Sequence, residues 1–194
     1  MQEWKEKRGT MRHYDQQAIV YDVQYLEEQD AKIEDALSST ELKPNELVLD
    51  LGCGTGFLFQ HIDKSNRLLV GLDISSKVLR EAKKRTKKLS NTELIRADAD
   101  NTPFPDHIFD KVFAITLLQN MPNPMKTITE MKRIGKAQAI FAITGLKKKF
   151  TKESFTDLLK KAQLKVSALN TDQRLKGHIT VCTNAEFRRF PRAI

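Results

Sequence analysis

Apolar and polar positions along this 194-residue chain switch repeatedly between helical spacing and short continuous apolar runs. From about Tyr14 to Ser38, the apolar residues Ala18, Tyr21, Tyr25, Ile33 and Leu37 recur at helical intervals and predict one or two amphipathic helices. The segment Lys43-Pro44-Asn45-Glu46 reads as a turn, and Leu47 to Leu51 as a strand. Further runs of the strand type cover Arg67 to Asp73, Thr92 to Ala99, Ile108 to Thr116 and Ala137 to Thr144. Helices are expected between them. One runs from Gly56 through His61. A second starts behind the N-cap residues Ser75 and Ser76, with Val78, Leu79, Ala82, Thr86 and Leu89 as its inward stripe. A third spans Met125 to Ile134, with Ile128 and Met131 facing in. Thr151 is an N-cap flanked by the hydrophobic staple pair Phe150 and Phe155, and Leu158, Leu159 and Ala162 continue that helix's apolar face. Leu164 to Asn170 and His178 to Thr183 leave no room for a crossover helix, so they are expected to pair antiparallel. Strands alternating with helices place the chain in the α/β class, built on a parallel sheet.

The run Val48-Leu49-Asp50-Leu51-Gly52-Cys53-Gly54-Thr55-Gly56 carries an apolar strand into three glycines on alternate positions. Glycine admits positive φ and has no Cβ, so the backbone can approach a ligand closely there. A dinucleotide fingerprint needs its third glycine one residue later, which sets that reading aside. Asp73 closes the second strand about 20 residues further on, where a carboxylate serves ribose hydroxyls. Asp98 closes the third, and the fourth leads into Leu117-Leu118-Gln119-Asn120-Met121-Pro122-Asn123-Pro124. In open sheets ligands gather at the carboxyl ends of strands, where all four segments end. A single acid at a strand end is often only a turn former, but four such segments in order argue for a site.

In that order the segments resemble the motifs of class I S-adenosylmethionine (SAM) methyltransferases, of the small ubiquinone/menaquinone type. The resemblance runs from about Tyr14 to Thr183. It implies a single doubly wound Rossmann-like domain with a seven-stranded, mostly parallel sheet in the order 3-2-1-4-5-7-6, strand 7 antiparallel. The chain would divide into an N-terminal helical segment or lid over residues 1–40, a SAM-binding core over 41–184 and a basic tail over 185–194. SAM is the implied cofactor. Asp50 would orient the glycine loop and the cofactor's ammonium side, and Gly52, Gly54 and Gly56 would make room for its methionine part. Asp73 would take the ribose and Asp98, with the backbone of Ala99, the adenine amine; Ile74 and Thr116 complete the cofactor set. Tyr14 and Tyr21 match an N-terminal pattern that folds over the cofactor.

Methyl transfer from a sulfonium is an in-line displacement, so positioning can supply most of the catalysis. The resemblance sets Gln119, Asn120 and Tyr14 beside the acceptor. Many relatives carry a histidine where Gln119 and Asn120 stand, and neither amide is a base near neutral pH. That departure favours an acceptor with a free lone pair, such as a ring nitrogen, or an already ionised oxygen. The tetrad Asn-Pro-Pro-aromatic of amide methylases is absent, because Asn123-Pro124 is followed by Met125; a cysteine nucleophile is absent there too. His13 reads as a solvated surface residue.

Composition changes the picture in one respect. With 33 Lys and Arg against 25 Asp and Glu, the net charge of +8 favours a polyanionic partner. The basic residues cluster at Lys77, Arg80, Lys83, Lys84, Arg85, Lys87 and Lys88 on one helix, and at Lys147, Lys148, Lys149 and Lys152 after the fifth strand. The first cluster reads as a solvated helix face, and the second as a path for a phosphate backbone on the cofactor side. Phe187-Arg188-Arg189-Phe190-Pro191-Arg192 interleaves aromatics with arginine, as single-strand binders do. RNA or a ribonucleoprotein is therefore the favoured substrate, against a quinone-like or phenolic small molecule, or a non-catalytic scaffold. Some relatives work only with a small zinc-binding partner on a sheet edge, and the Leu94 to Ala97 strand would be that edge. Cys53 and Cys182 give neither a metal spacing nor a disulfide framework and read as reduced packing residues. No apolar run approaches the roughly 18 residues of a membrane span, so a cytoplasmic protein without metal or membrane is expected.

Overall fold

In the computed structural model, which describes residues 2–17, 20–62 and 68–185, seven strands form one sheet with helices on both faces. The elements in chain order are α1 (Gln2–Gln17), α2 (Val20–Ser38), β1 (Leu47–Leu51), α3 (Leu58–His61), β2 (Leu68–Asp73), α4 (Ser76–Thr86) and β3 (Thr92–Arg96). They continue with β4 (Phe109–Ala114), a single 3-10 turn at Leu118–Asn120, α5 (Pro124–Ile134), β5 (Gly135–Leu146), α6 (Lys152–Lys161), β6 (Leu164–Asn170) and β7 (Gly177–Asn184). The sheet order is β3-β2-β1-β4-β5-β7-β6, as the resemblance implies. Strands β1 to β5 run parallel, and β7 runs antiparallel to both of its neighbours.

Successive strand residues point to opposite faces, and both faces are covered. Leu49 and Leu51 of β1, Val112 and Ala114 of β4, and Phe141 and Ile143 of β5 enter one core, closed by Ile128 and Met131 of α5 and Phe155 and Leu159 of α6. Val48, Phe113 and Ala142 enter the other, closed by Ile33 and Ala36 of α2 and by Leu58 and Phe59 of α3. Burial on both sides explains why the central strands read as unbroken apolar runs. Helix starts are capped by side chains: Ser75 accepts from the Val78 amide, Asn123 from Lys126 and Thr151 from Ser154. The Phe150 and Phe155 rings meet with centroids 5.7 Å apart.

Several boundaries differ from the sequence expectation. Helix α1 begins at Gln2, well before Tyr14, because the residues it turns inward include Lys7, Thr10 and Tyr14 and so leave no apolar stripe to read. The third and fourth strands stop at Arg96 and Ala114, short of Ala99 and Thr116; Thr116 adopts φ 61° and cannot continue a strand. Strand β5 extends to Leu146, past Thr144, because Gly145 and Leu146 still pair with His178 and Gly177 of β7. Arg67 and the tail Phe187 to Arg192 lie outside the described residues, as does the side chain of Tyr21.

Gly71, in the middle of β2, leaves room for side chains from β3 and α3: a Cβ there would lie 2.7 Å from both Leu94 Cδ2 and Phe59 Cζ. Gly71→Ala is expected to destabilise the fold by about 1–3 kcal/mol through overpacking, read as a lowered midpoint in chemical unfolding.

Candidate active site

The loop after β1 is tied to the end of β2 by the Leu72 carbonyl, which accepts from the Gly52 amide at 2.7 Å and the Cys53 amide at 2.9 Å. Gly52, Gly54 and Gly56 all adopt positive φ, at 76°, 55° and 84°. A Cβ on Gly54 would meet nothing within 4 Å, so open space lies against the backbone at that point. Gly56 is placed differently: its Cβ would press on Phe59 and Ala82, so it seats the loop against α3 and α4 and does not line the cleft. From α4, Arg85 reaches back to donate to the Thr55 carbonyl at 2.5 Å, with its guanidinium over the Phe57 ring at 4.3 Å.

Two carboxylates flank this loop. Asp73 accepts from the Gly54 amide at 3.1 Å and the Ser75 amide at 2.8 Å, joining the loop to the start of α4. Burial raises its pKa against those bonds. Asp50 is 3% exposed and makes no hydrogen bond among the described residues. Burial, with the Asp73 charge added, pushes its pKa up to about 8. Burial and these same two acids hold the Cys53 thiol well above its ordinary range, so it is no nucleophile.

At the β3 end, Asp98 and Asp100 receive a lysine from α1. Lys7 Nζ lies 2.7 Å from Asp98 Oδ1 and 2.5 Å from Asp100 Oδ2; it is 6% exposed. Burial pulls the Lys7 pKa down, and bonds to the two acids more than reverse that. Asp100 also accepts from the Thr127 hydroxyl at 2.5 Å. A carboxylate of α1, Asp15, accepts a short bond from the Ser75 hydroxyl.

At the β4 end the chain turns through Thr116, every polar group of which is engaged. Its amide donates to Thr144 Oγ1 at 2.7 Å and its hydroxyl to Gln29 Oε1 at 2.9 Å, while Lys32 Nζ stands 3.4 Å from that hydroxyl. Its carbonyl accepts from Gln119 Nε2 at 2.8 Å and Asn120 Nδ2 at 2.9 Å. Asn120 Nδ2 also donates to the Tyr14 hydroxyl at 2.9 Å. Lys32 pairs with Glu28 at 3.0 Å, and its pKa is lowered, chiefly by burial.

A cleft of about 1080 Å³, part of it open to solvent, runs along these strand ends. Of the residues singled out from the sequence, it gathers Tyr14, Asp50, Gly52, Gly54, Asp73, Ile74, Asp98, Ala99, Thr116 and Asn120; Gly56 and Gln119 stand outside its lining. Gln119 Oε1 is buried without a hydrogen bond. Sequence reasoning missed Lys7, Thr10 and Met11 on α1 and Gln29 on α2, although the first three with Tyr14 share one helical face by spacing alone. The basic residues are less free than their sequence suggests. Lys147 donates to the Thr171 and Asp172 carbonyls, Lys84 pairs with Glu81 at 2.8 Å, and Lys148 and Lys149 are exposed. His13 is exposed on α1, its ring edge-on to Tyr14. Among the described residues no cluster of His, Cys, Asp or Glu could hold a metal ion, and no helix is long and apolar enough to cross a membrane.

A family model described as a methyltransferase domain matches residues 42–187, and the chain belongs to that family. It is 31% identical to the uncharacterized protein MJ1252 of Methanocaldococcus jannaschii over 94% of its own length and 68% of that protein's. It is 32% identical to the demethylmenaquinone methyltransferase of Staphylococcus carnosus over 52% of its length, spanning 43% of that enzyme. The fold matches a chain from the complex between the Haloferax volcanii Trm112 methyltransferase activator and its methyltransferase, with TM-score 0.78 and 18% identity over 88% of this chain and 96% of that one. Family and fold together make this a SAM-dependent methyltransferase domain, with SAM as cofactor. The residues present fit SAM: a buried carboxylate without a counter-charge at Asp50 suits an ammonium, and the open backbone at Gly54 leaves room beside it.

Removing Lys7 strands the buried Asp100 carboxylate. Lys7→Met is expected to cost about 3 kcal/mol, with part of that loss recovered in the Lys7→Met, Asp100→Asn double variant, measured by denaturant unfolding. Asp50 sets a pH dependence of the unliganded protein. The unfolded chain loses this proton near 3.8 and the folded chain near 8. The folded state thus holds the extra proton across that window, and the contribution of Asp50 to stability falls as pH rises through it. Asp50→Asn should flatten that slope in thermal unfolding between about pH 5 and 8.

Proposed function

We propose that this domain transfers the methyl group of SAM to a small acceptor held between α1 and the exit of β4. The observation that carries this reading is the recess walled by Met11, Leu117 and Met121 and crossed by the Tyr14 to Asn120 hydrogen bond. SAM supplies a sulfonium-bound methyl carbon open to in-line attack. Asp50 faces its ammonium; the Gly52 to Gly54 backbone borders its methionine part; Asp73 and Ile74 hold the ribose; Asp98 accepts from the adenine amine, with the backbone of Ala99 beside it. Lys7 already occupies the Asp98 carboxylate, so cofactor entry has to share or displace that ammonium. Asn120 and Tyr14 orient the acceptor, and Gln119, outside the cleft lining, braces the Thr116 carbonyl behind them. The division into an N-terminal lid and a core follows the same reading, since α1 closes over the cleft.

RNA is the second reading. The net charge of +8 and the exposed Lys148 and Lys149 support it; the engagement of Lys147 with backbone carbonyls weakens it. A small activator subunit on the outer edge of β3 is proposed as partner, with the Haloferax volcanii complex in support. A cytoplasmic setting goes with the reading, and two buried cysteines without a disulfide support it.

Isothermal titration should show SAM binding that Asp73→Ala weakens by roughly tenfold or more. Wild-type protein that binds neither SAM nor its demethylated product would end the transferase reading.

A further inference from the structure

The acceptor half of the cleft specifies the chemistry of the atom to be methylated, an inference that rests on the transferase reading above. Asn120 uses both hydrogens of its amide nitrogen inside the protein, on the Thr116 carbonyl and the Tyr14 hydroxyl, each at 2.9 Å. A carbonyl oxygen only accepts, so the amide cannot be turned over. Asn120 Oδ1 makes no hydrogen bond among the described residues, and it is the polar atom this residue has left to offer the cleft.

The Thr116 carbonyl that locks it is itself over-determined. A β-branched residue at φ 61° is strained, and bonds from Thr144, Gln29 and Lys32 hold it there. The orientation of the Asn120 amide is therefore built into the fold before any acceptor arrives.

Among the described residues the same half of the cleft offers no free base. Its lining from α1 and the β4 exit holds no carboxylate or imidazole, and its one amine, Lys7, is paired with Asp98 and Asp100. The acids, Asp50, Asp73 and Asp98, lie on the cofactor half at the other strand ends. A hydroxyl would have to lose its proton to become a good nucleophile, and nothing here takes it. An already ionised oxygen, or a ring nitrogen bearing no hydrogen, would turn its lone pairs against Asn120 Oδ1.

We infer that the acceptor is a nitrogen that carries hydrogen and is neutral near pH 7, an amino group on an aromatic ring, with its N–H held by Asn120 Oδ1. Its lone pair forms the new N–C bond, and the electrons of the breaking C–S bond return to sulfur, converting the sulfonium to a neutral thioether. The nitrogen becomes cationic and then releases its proton to water, so no protein base is needed. This departs from the expectation from sequence, which favoured a bare ring nitrogen or an already ionised oxygen.

The test incubates the protein with methyl-labelled SAM and cell extract, isolates the labelled product and determines by mass spectrometry and NMR which atom carries the methyl group. A nitrogen-bound methyl is expected, with Asn120→Leu lowering kcat/KM on that product's precursor by roughly tenfold or more. The SAM dissociation constant of Asn120→Leu, from calorimetry, should stay within about threefold of wild type, which also shows that the variant is folded. An oxygen- or carbon-bound methyl overturns the inference, and so does unchanged turnover in Asn120→Leu. SAM binding with no label transferred to any fraction overturns instead the transferase function on which it rests.

Discussion

One carboxylate ties the working end of this molecule together. Asp73 ends β2, accepts the Gly54 amide from the loop after β1 and the Ser75 amide at the start of α4, and so brings three separate segments to one point. Without it, the Gly54 amide would lose its partner and the cap of α4 would lose its orientation. The cost is a buried charge beside Asp50, and both acids are shifted upward by burial. Asp50 and Asp73 are buried acids without a counter-charge of their own, and SAM, positive on both its sulfur and its ammonium, would supply one.

Helix α1 is held over this cleft by polar contacts rather than by apolar packing. Lys7 reaches Asp98 and Asp100, Asp15 meets Ser75, and Tyr14 meets Asn120, so each pin joins α1 to a different part of the strand-end surface. Polar pins of this kind suit a lid: each can be exchanged for water or for a ligand group at modest cost, whereas an apolar seam could not. Lys7 is the exception, because leaving Asp100 alone in the interior is expensive. Helix α1 is thus anchored at its Lys7 end and more easily released near Tyr14.

Much of the architecture was legible in the chain because double-sided burial writes itself into sequence. Val48 with Leu49, Leu68 to Leu72 and Val112 to Ala114 are apolar on both faces, and the caps Ser75 and Thr151 mark where helices resume. The glycine loop and Asp73 were legible for the same reason, since positive φ and a carboxylate at a strand end leave local signatures. Helix α1 escaped over most of its length because its inward face is polar, and a helix stabilised by ion pairs across a fold shows no apolar period. The charge clusters misled in part: Lys147 looks like a ligand for a polyanion in sequence and Arg85 like part of a solvated helix face, yet each bonds to a nearby carbonyl in the fold.

By itself the sequence determined the α/β class, the order of elements and the strand ends that would carry a cofactor, because each depends on residues close together in the chain. Tertiary structure alone decided that Lys7 meets Asp98 across 91 positions, and that Asn120 meets Tyr14 across 106. It also decided that Thr116 sits in a strained turn braced from α2 and β5. These contacts depend on how the helices settle over the sheet. They are hydrogen bonds and ion pairs between residues that have no periodicity in common, and no local pattern could have announced them.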